Sequence, residues 1–585
     1  MSLVQYDYLF AIGVIFAALD AWNIGANDVA NSWATSVASR SVTLIQAMIG
    51  ASIFEFAGAV GVGSRVADTI RTKIVSPDHY QDQPAVLMLG MVCAIVGSST
   101  WLTIATKIGL PVSTTHSLLG GVIGMGVASI GADKVTWVAP STAVGTEVIN
   151  TGVVSVFLSW IIAPGISAIF ASILFLGTKY GVMLRKDPVK KAFALIPFYF
   201  GLTAILLAML LIWKGGSYEV NLTEAGIAGT IVGVGFAWAL LVAVFFMPWL
   251  WRVVVKDDWQ IRWYHIFKGP LLLRRADPPP APAHVQSPIR NFYEGHLTRE
   301  ELDAKRGIIN NPDDVEAGRL PTPANKEAVL GESGPHSSST SDNSSEHTIA
   351  PVPRKSLIGP KPEGLPWHSG AMLFWYFKLA VFHGVDQDVV SAQKKKDKFS
   401  GDLEDAHARA THFDNRAEFM YSFLQIMTAA TASFVHGAND ISNAIGPFAT
   451  VYDIWKTGEI PTKAPVPTWI LVFGASILVI GVWTYGYNIM RNLGNKLTLN
   501  SPSRGFSMEL GSAITVIIAT RLKLPVSTTQ CITGAIVGVG LCNGDWRALN
   551  WRMIGWIYGG WIFTLPVSGI ISGVLMGIIL NAPRW

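Results

Sequence analysis

Apolar stretches long enough to cross a bilayer recur along most of this chain, and no other feature constrains its fold as strongly. They run over 8–24, 44–62, 86–105, 153–176, 192–213 and 227–251, and after a long polar gap over 419–435, 469–487, 508–519 and 554–580. Many reach the roughly 20 residues that a helix needs to span hydrocarbon. With two weaker segments at 112–130 and 526–541, the chain reads as an all-α polytopic membrane protein of about twelve transmembrane helices, since a helix satisfies its own backbone hydrogen bonds. Half of the 585 residues are hydrophobic and 14% are charged, which excludes an ordinary soluble globular protein. Cys93, Cys531 and Cys542 all fall in apolar segments and form neither a disulfide framework nor a zinc spacing. No Lys or Arg precedes Arg40, so the first span lacks the basic leader of a cleaved signal and is expected to stay.

The charges concentrate in the gap, which divides the chain into a membrane region at 1–250, a large loop at 251–416 and a second membrane region at 417–585. Within the loop, 277–365 is rich in Pro, Ser and Gly and is expected to be disordered. Residues 367–416 begin with an aromatic-apolar run and read either as an amphipathic helix on the membrane surface or as a short soluble helix. Basic residues cluster at 252–275, 185–191 and 491–504. Placing all three in the cytoplasm requires seven spans before the loop and five after it, with both termini outside. The sequon Asn221-Leu222-Thr223 then lies outside as a glycosylation candidate, while Asn343-Ser344-Ser345 stays inside and bare.

Two motifs occur in both membrane regions. Gly25-Ala26-Asn27-Asp28, with Asn31 three positions on, recurs as Gly437-Ala438-Asn439-Asp440 with Asn443. Asn and Asp are poor helix formers and a carboxylate in hydrocarbon is costly. A helix cap with small-residue packing would explain one copy; two copies favour a shared site in which Asn27, Asp28, Asn31, Asn439, Asp440 and Asn443 offer oxygens to a cation such as sodium. Pro111-Val112-Ser113-Thr114-Thr115 recurs as Pro525-Val526-Ser527-Thr528-Thr529. Proline leaves a helix N-terminus with free N–H groups, and Ser113, Thr114, Thr115, Ser527, Thr528 and Thr529 add hydroxyls, a seat suited to an oxyanion. The alternative is hydroxyls bonded back to their own or neighbouring helices. His116 has Gln530 as its counterpart, which argues against a symmetric role. Glu55 and Glu509 lie inside apolar stretches opposite Val479 and Ile95 of the other copy, and such carboxylates are functional candidates. Asp20 is a lesser one. The topology above turns one copy over relative to the other, giving inverted repeats with broken or re-entrant helices meeting at the midplane.

These residues, read alone, describe a symporter of a cation and an oxyanion. The duplicated motifs and the central hydrophilic loop resemble the inorganic phosphate transporter (PiT) family, over about 1–250 and 417–585, and are similar to its fungal high-affinity sodium–phosphate symporters of the plasma membrane. The resemblance implies inorganic phosphate as substrate and sodium as the co-transported ion. It also implies that Asn27, Asp28, Asn439 and Asp440 line both sites, that the Ser-Thr-Thr segments hold phosphate, and that Glu55 and Glu509 are needed for transport. Membrane lipid is an expected partner, a homodimer is compatible, and neither a cofactor nor nucleic acid is expected. Proton coupling, or another oxyanion such as sulfate, is the alternative, and an anion channel is a weaker one. A membrane enzyme is excluded on motifs: the chain has no His-Glu-x-x-His, Gly-x-Ser-x-Gly or phosphate-loop lysine pattern.

Overall fold

The structure is a computed structural model that describes residues 3–63, 75–143, 145–213, 222–282, 287–307, 356–393, 398–460, 466–522 and 524–582. Every apolar stretch singled out above lies on a helix, and no strand occurs among the described residues. The first membrane region holds α1 (Asp7–Ala38), α2 (Leu44–Val62), α3 (Pro84–Lys107), α4 (Thr114–Ile130), α5 (Val153–Thr178), α6 (Pro188–Ala208) and α7 (Glu224–Leu241). The loop contributes α8 (Arg299–Lys305) and α9 (Gly370–Phe382). The second membrane region holds α10 (Asn415–Thr457), α11 (Thr468–Tyr485), α12 (Pro502–Arg521), α13 (Thr528–Leu541) and α14 (Trp551–Asn581).

Among the described residues, eight helices are long and apolar enough to cross a membrane, against the twelve spans expected. The difference has a chemical cause. α10 and α12 carry the polar residues of the second motif copy and of Glu509, which lowers their hydropathy. α4 and α13 have only 17 and 14 residues. At 1.5 Å per residue they rise about 26 and 21 Å, short of a hydrocarbon layer of about 30 Å. Both are short because they start abruptly at the proline-led break.

Helices of the two regions pair reciprocally. α1 packs on α11 as α10 packs on α2, α4 on α14 as α13 on α5, and α1 and α10 cross each other at the centre. Glycines permit the closest approaches. A Cβ on Gly120 of α4 would fall 2.4 Å from the Leu565 carbonyl oxygen, and one on its counterpart Gly534 2.3 Å from that of Pro164. The two regions therefore interlock rather than sitting side by side, each built around helices of the other.

The loop departs from its expected disorder. Residues 308–355 lie outside the described residues, but 287–307 form a packed strap with Phe292, Tyr293 and Leu302 buried. Thr298 and Glu301 make a capping box that starts α8. The Tyr293 hydroxyl donates to buried Glu418 at 2.7 Å, and the Phe292 N–H donates to Asn415 at 3.0 Å. At its other edge Arg290 donates to the Arg40 carbonyl at 2.8 Å and Glu294 pairs with the Arg40 guanidinium. The strap thus joins the end of α1 to the start of α10. Two buried aromatics and a buried carboxylate outweigh the polar composition around them.

The 367–416 segment is also not one amphipathic helix. It holds α9 and two short turns of helix at Val389–Gln393 and Leu403–Ala408. Only Met372 of α9 is buried, while Leu373, Phe374, Tyr376, Phe377 and Val381 are exposed around its circumference. A helix that is apolar on every side lacks the polar face of an interfacial amphipathic helix. Asn221 and Asn343 lie outside the described residues.

Candidate substrate site

Both copies of the proline-led break end in the same cap. The Ser113 hydroxyl accepts from the His116 N–H at 3.1 Å, and that of Ser527 from the Gln530 N–H at 3.4 Å. These serines start α4 and α13 as their N-caps. The capped turns bring Thr114, Thr115, Thr528 and Thr529 inward, where all four are buried.

The threonines converge on two buried aspartates by an exchanged rule. Asp28 accepts from Thr114 of its own half at 3.0 Å and from Thr529 of the other at 3.2 Å. Asp440 accepts from Thr528 of its own half at 2.7 Å and from Thr115 of the other at 3.5 Å. Asn31 donates to Thr529 and Thr528 at 2.9 and 3.3 Å, while Asn443 donates to Thr115 and Thr114 at 3.0 and 3.2 Å. Two helix N-termini and two carboxylates therefore face one centre, with a positive dipole end beside each negative charge.

Asn27 does not face that centre. Its amide donates to the Thr106 hydroxyl and the Leu110 carbonyl, each at 3.1 Å, and its carbonyl accepts from the Val112 N–H at 3.1 Å. With three bonds Asn27 clamps the break between α3 and α4. Asn439 is looser: it accepts from Thr520 at 3.4 Å and donates to Asp440 at 2.9 Å. These contacts make Asn27 a clamp of the break and Asn439 a support of Asp440.

The sequence reading passed over His436. It lies one helical turn before Asp440, its Nε2 3.2 Å from Asp440 and 3.5 Å from Asp28, and its Nδ1 3.3 Å from Glu55. Ligand atoms of Asp28, His436 and Asp440 all lie within 4.8 Å of one another, a group able to hold a cation. Glu55 also accepts from Ser433 at 3.2 Å. The available signal was the spacing of four on α10, obscured because the first motif copy carries Ile24 at the matching position.

Glu55 thus joins the centre; Glu509 does not. Glu509 accepts from Thr35 at 2.6 Å, Ser36 at 2.7 Å, Gln425 at 3.1 Å and Thr428 at 2.6 Å. None of these residues belongs to the centre. The matching positions of the other half hold Ile95, Pro447, Phe448, Gly13 and Phe16, so that pocket is apolar. The counterpart of Glu55 also shifts by one residue. A Cβ on Gly437 would fall 2.1 Å from the Glu55 carbonyl oxygen, and one on Gly25 2.0 Å from that of Leu478. Leu478, not Val479, stands opposite Glu55. His116 packs aside, accepting from Trp160 at 3.2 Å with its Nε2 3.4 Å from Ser159.

The sequence pattern of the Phosphate transporter family matches residues 24–572. The chain belongs to that family. A phosphate-repressible phosphate permease of Neurospora crassa is 65% identical to this transporter, covering 100% of this chain and 99% of the permease. A sodium-dependent phosphate transporter 2 of Xenopus tropicalis is 28% identical, covering 99% of each chain. A solved structure described as the sodium-dependent phosphate transporter shares the fold of this transporter with a TM-score of 0.61 at 23% identity, covering 98% of this chain and 100% of that one. The protein is a multi-pass membrane transporter, not an enzyme.

Proposed function

We propose that this transporter imports inorganic phosphate together with sodium by alternating access. The observation that carries the reading is the exchanged threonine contact: each aspartate is held by hydroxyls from both halves. Sodium would sit among Asp28, Asp440 and the threonine oxygens and offset the repulsion between these carboxylates and phosphate, which would take the paired N-termini of α4 and α13. Rocking one half against the other then parts Thr529 from Asp28 and Thr115 from Asp440 and opens the centre to one side. In this reading the two halves are inverted repeats of twelve spans, with both termini outside the plasma membrane and the loop in the cytoplasm.

One observation favours a second reading, proton coupling: His436 bridges Glu55 to both aspartates and could carry a proton among them. Radiolabelled phosphate uptake into proteoliposomes, under sodium and proton gradients imposed separately, decides between them. Sodium-driven uptake is expected, and uptake that ignores sodium and follows protons would replace the first reading with the second. Asp28→Asn and Asp440→Asn should each lower uptake at least about a hundredfold, since breaking a buried charged group costs about 3–5 kcal/mol.

A further inference from the structure

Asp20 lies on α1 eight residues before Asp28, about 12 Å along the helix axis and outside the centre just described. It is fully buried, and neither carboxylate oxygen accepts a hydrogen bond among the described residues. The other buried carboxylates set the contrast: Glu509 has four donors, and Glu418 accepts from Tyr293 and from the N–H and hydroxyl of Ser503. A buried charge without a partner costs several kcal/mol, a cost that a bound cation offsets.

Two more unpartnered oxygens accompany the carboxylate. Ser98 lies on α3, which packs against α1, and its buried hydroxyl makes no hydrogen bond among the described residues. Asn23, one turn from Asp20 on α1, directs its amide nitrogen to the Leu19 carbonyl at 2.9 Å, the Ser99 carbonyl at 3.2 Å and the Thr103 hydroxyl at 2.9 Å. The Thr103 hydroxyl spends its own proton on the Ser99 carbonyl at 2.7 Å, so it accepts from Asn23 and the amide orientation is determined. The Asn23 side-chain oxygen is therefore the free end, buried and without a donor. Four buried oxygens, one pair charged, thus lie without a hydrogen bond on the packed helices α1 and α3, and oxygens are what a hard cation takes as ligands. Oxygens that share such an ion, each at roughly 2.3–2.6 Å from one the size of calcium, stand farther apart than a hydrogen-bonded pair. The matching residues of the other half are Ala432, Val435 and Ser512, which bring no carboxylate. The feature thus lies outside the duplicated machinery.

We propose that Asp20, Asn23 and Ser98 form a second binding site for the co-transported sodium, a station between the N-terminal end of α1 and the Asp28–Asp440 centre. This rests on the sodium-coupled reading above. With the N-terminus outside, sodium reaches this station first and passes along the polar face of α1 to Asp28.

The test is sodium binding by the purified full-length protein without phosphate, together with uptake at graded sodium. Asp20→Asn should raise the sodium concentration for half-maximal uptake about tenfold, the weight of a contact to a charged group, and remove one bound sodium per chain. Its phosphate half-saturation at saturating sodium should stay within about twofold of wild type, because the phosphate seat is untouched. Ser98→Ala, which keeps the carboxylate, should shift sodium activation the same way by a smaller factor, and it carries the test if Asp20→Asn fails to fold. Sodium-dependent wild-type uptake with unchanged sodium curves and stoichiometry in the variants overturns this site alone. Wild-type protein that neither binds nor follows sodium overturns the sodium reading and this site with it.

Discussion

The two membrane halves agree at the aspartates, the second asparagines and the threonines, and disagree in the shell around them. Asp28 and Asp440 are held by matched contacts, whereas Glu55 and His436 face Leu478 and Ile24 in the other half, and Glu509 faces Ile95. Among the described residues the polar pair occurs where α2 meets α10, and its mate, where α11 meets α1, is the apolar Leu478 and Ile24. In the proposed cycle the symmetric kernel holds the substrate, and the asymmetric pair distinguishes one side from the other.

The sharpest way to break this comparison is to alter the pair and its mates in parallel. Glu55→Leu or His436→Ile, each giving one residue the identity found opposite, should lower uptake at least about a hundredfold, because each removes one partner from a buried charged cluster. Ile24→Leu and Leu478→Met, at the matching places, should leave uptake within about twofold, as volume-conserving core changes do. Equal losses at all four positions would show that the pair is only part of the packing. A smaller effect sharpens the symmetric part. Thr115→Val and Thr529→Val each remove one cross-half hydroxyl from an aspartate, and both should lower phosphate uptake about tenfold. A large imbalance between them would mean that one half binds and the other only supports. Smallest is the strap. Tyr293→Phe removes the hydroxyl bond to Glu418 and should lower thermal stability by about 0.5–1.5 kcal/mol. Deleting 308–355 while keeping 287–307 should leave uptake within about twofold, since surface loops change length at little cost. Loss of uptake on that deletion would assign the segment a role in transport.

Which of these features could be read beforehand follows from how far apart their residues lie. Ser113 and Thr114 are close enough in sequence for a helix start to be legible, although only the structure separates the capping serine from the threonine on Asp28. Asn27 shows the limit. Its residue type is that of a ligand, but its amide is spent on Thr106, Leu110 and Val112, near neighbours once α3 and α4 fold back on each other. His436 was legible in spacing and hidden by its apolar counterpart. The strap was missed because Phe292 and Tyr293 are two aromatics in a polar tract, and burial depends on what lies above them.

The sequence by itself determined that this protein is helical and membrane-embedded, that its kernel is duplicated, and that aspartates and threonines carry that kernel. Apolar length and repeated motifs are local quantities and need no partner to be read. Only the tertiary structure decided that Thr529 serves Asp28 and Thr115 serves Asp440, that Glu55 faces Leu478's place rather than Val479's, and that Glu509 stands apart. Those pairings join residues hundreds of positions apart, where helix crossing and glycine contact set the register and periodicity along one helix carries no information.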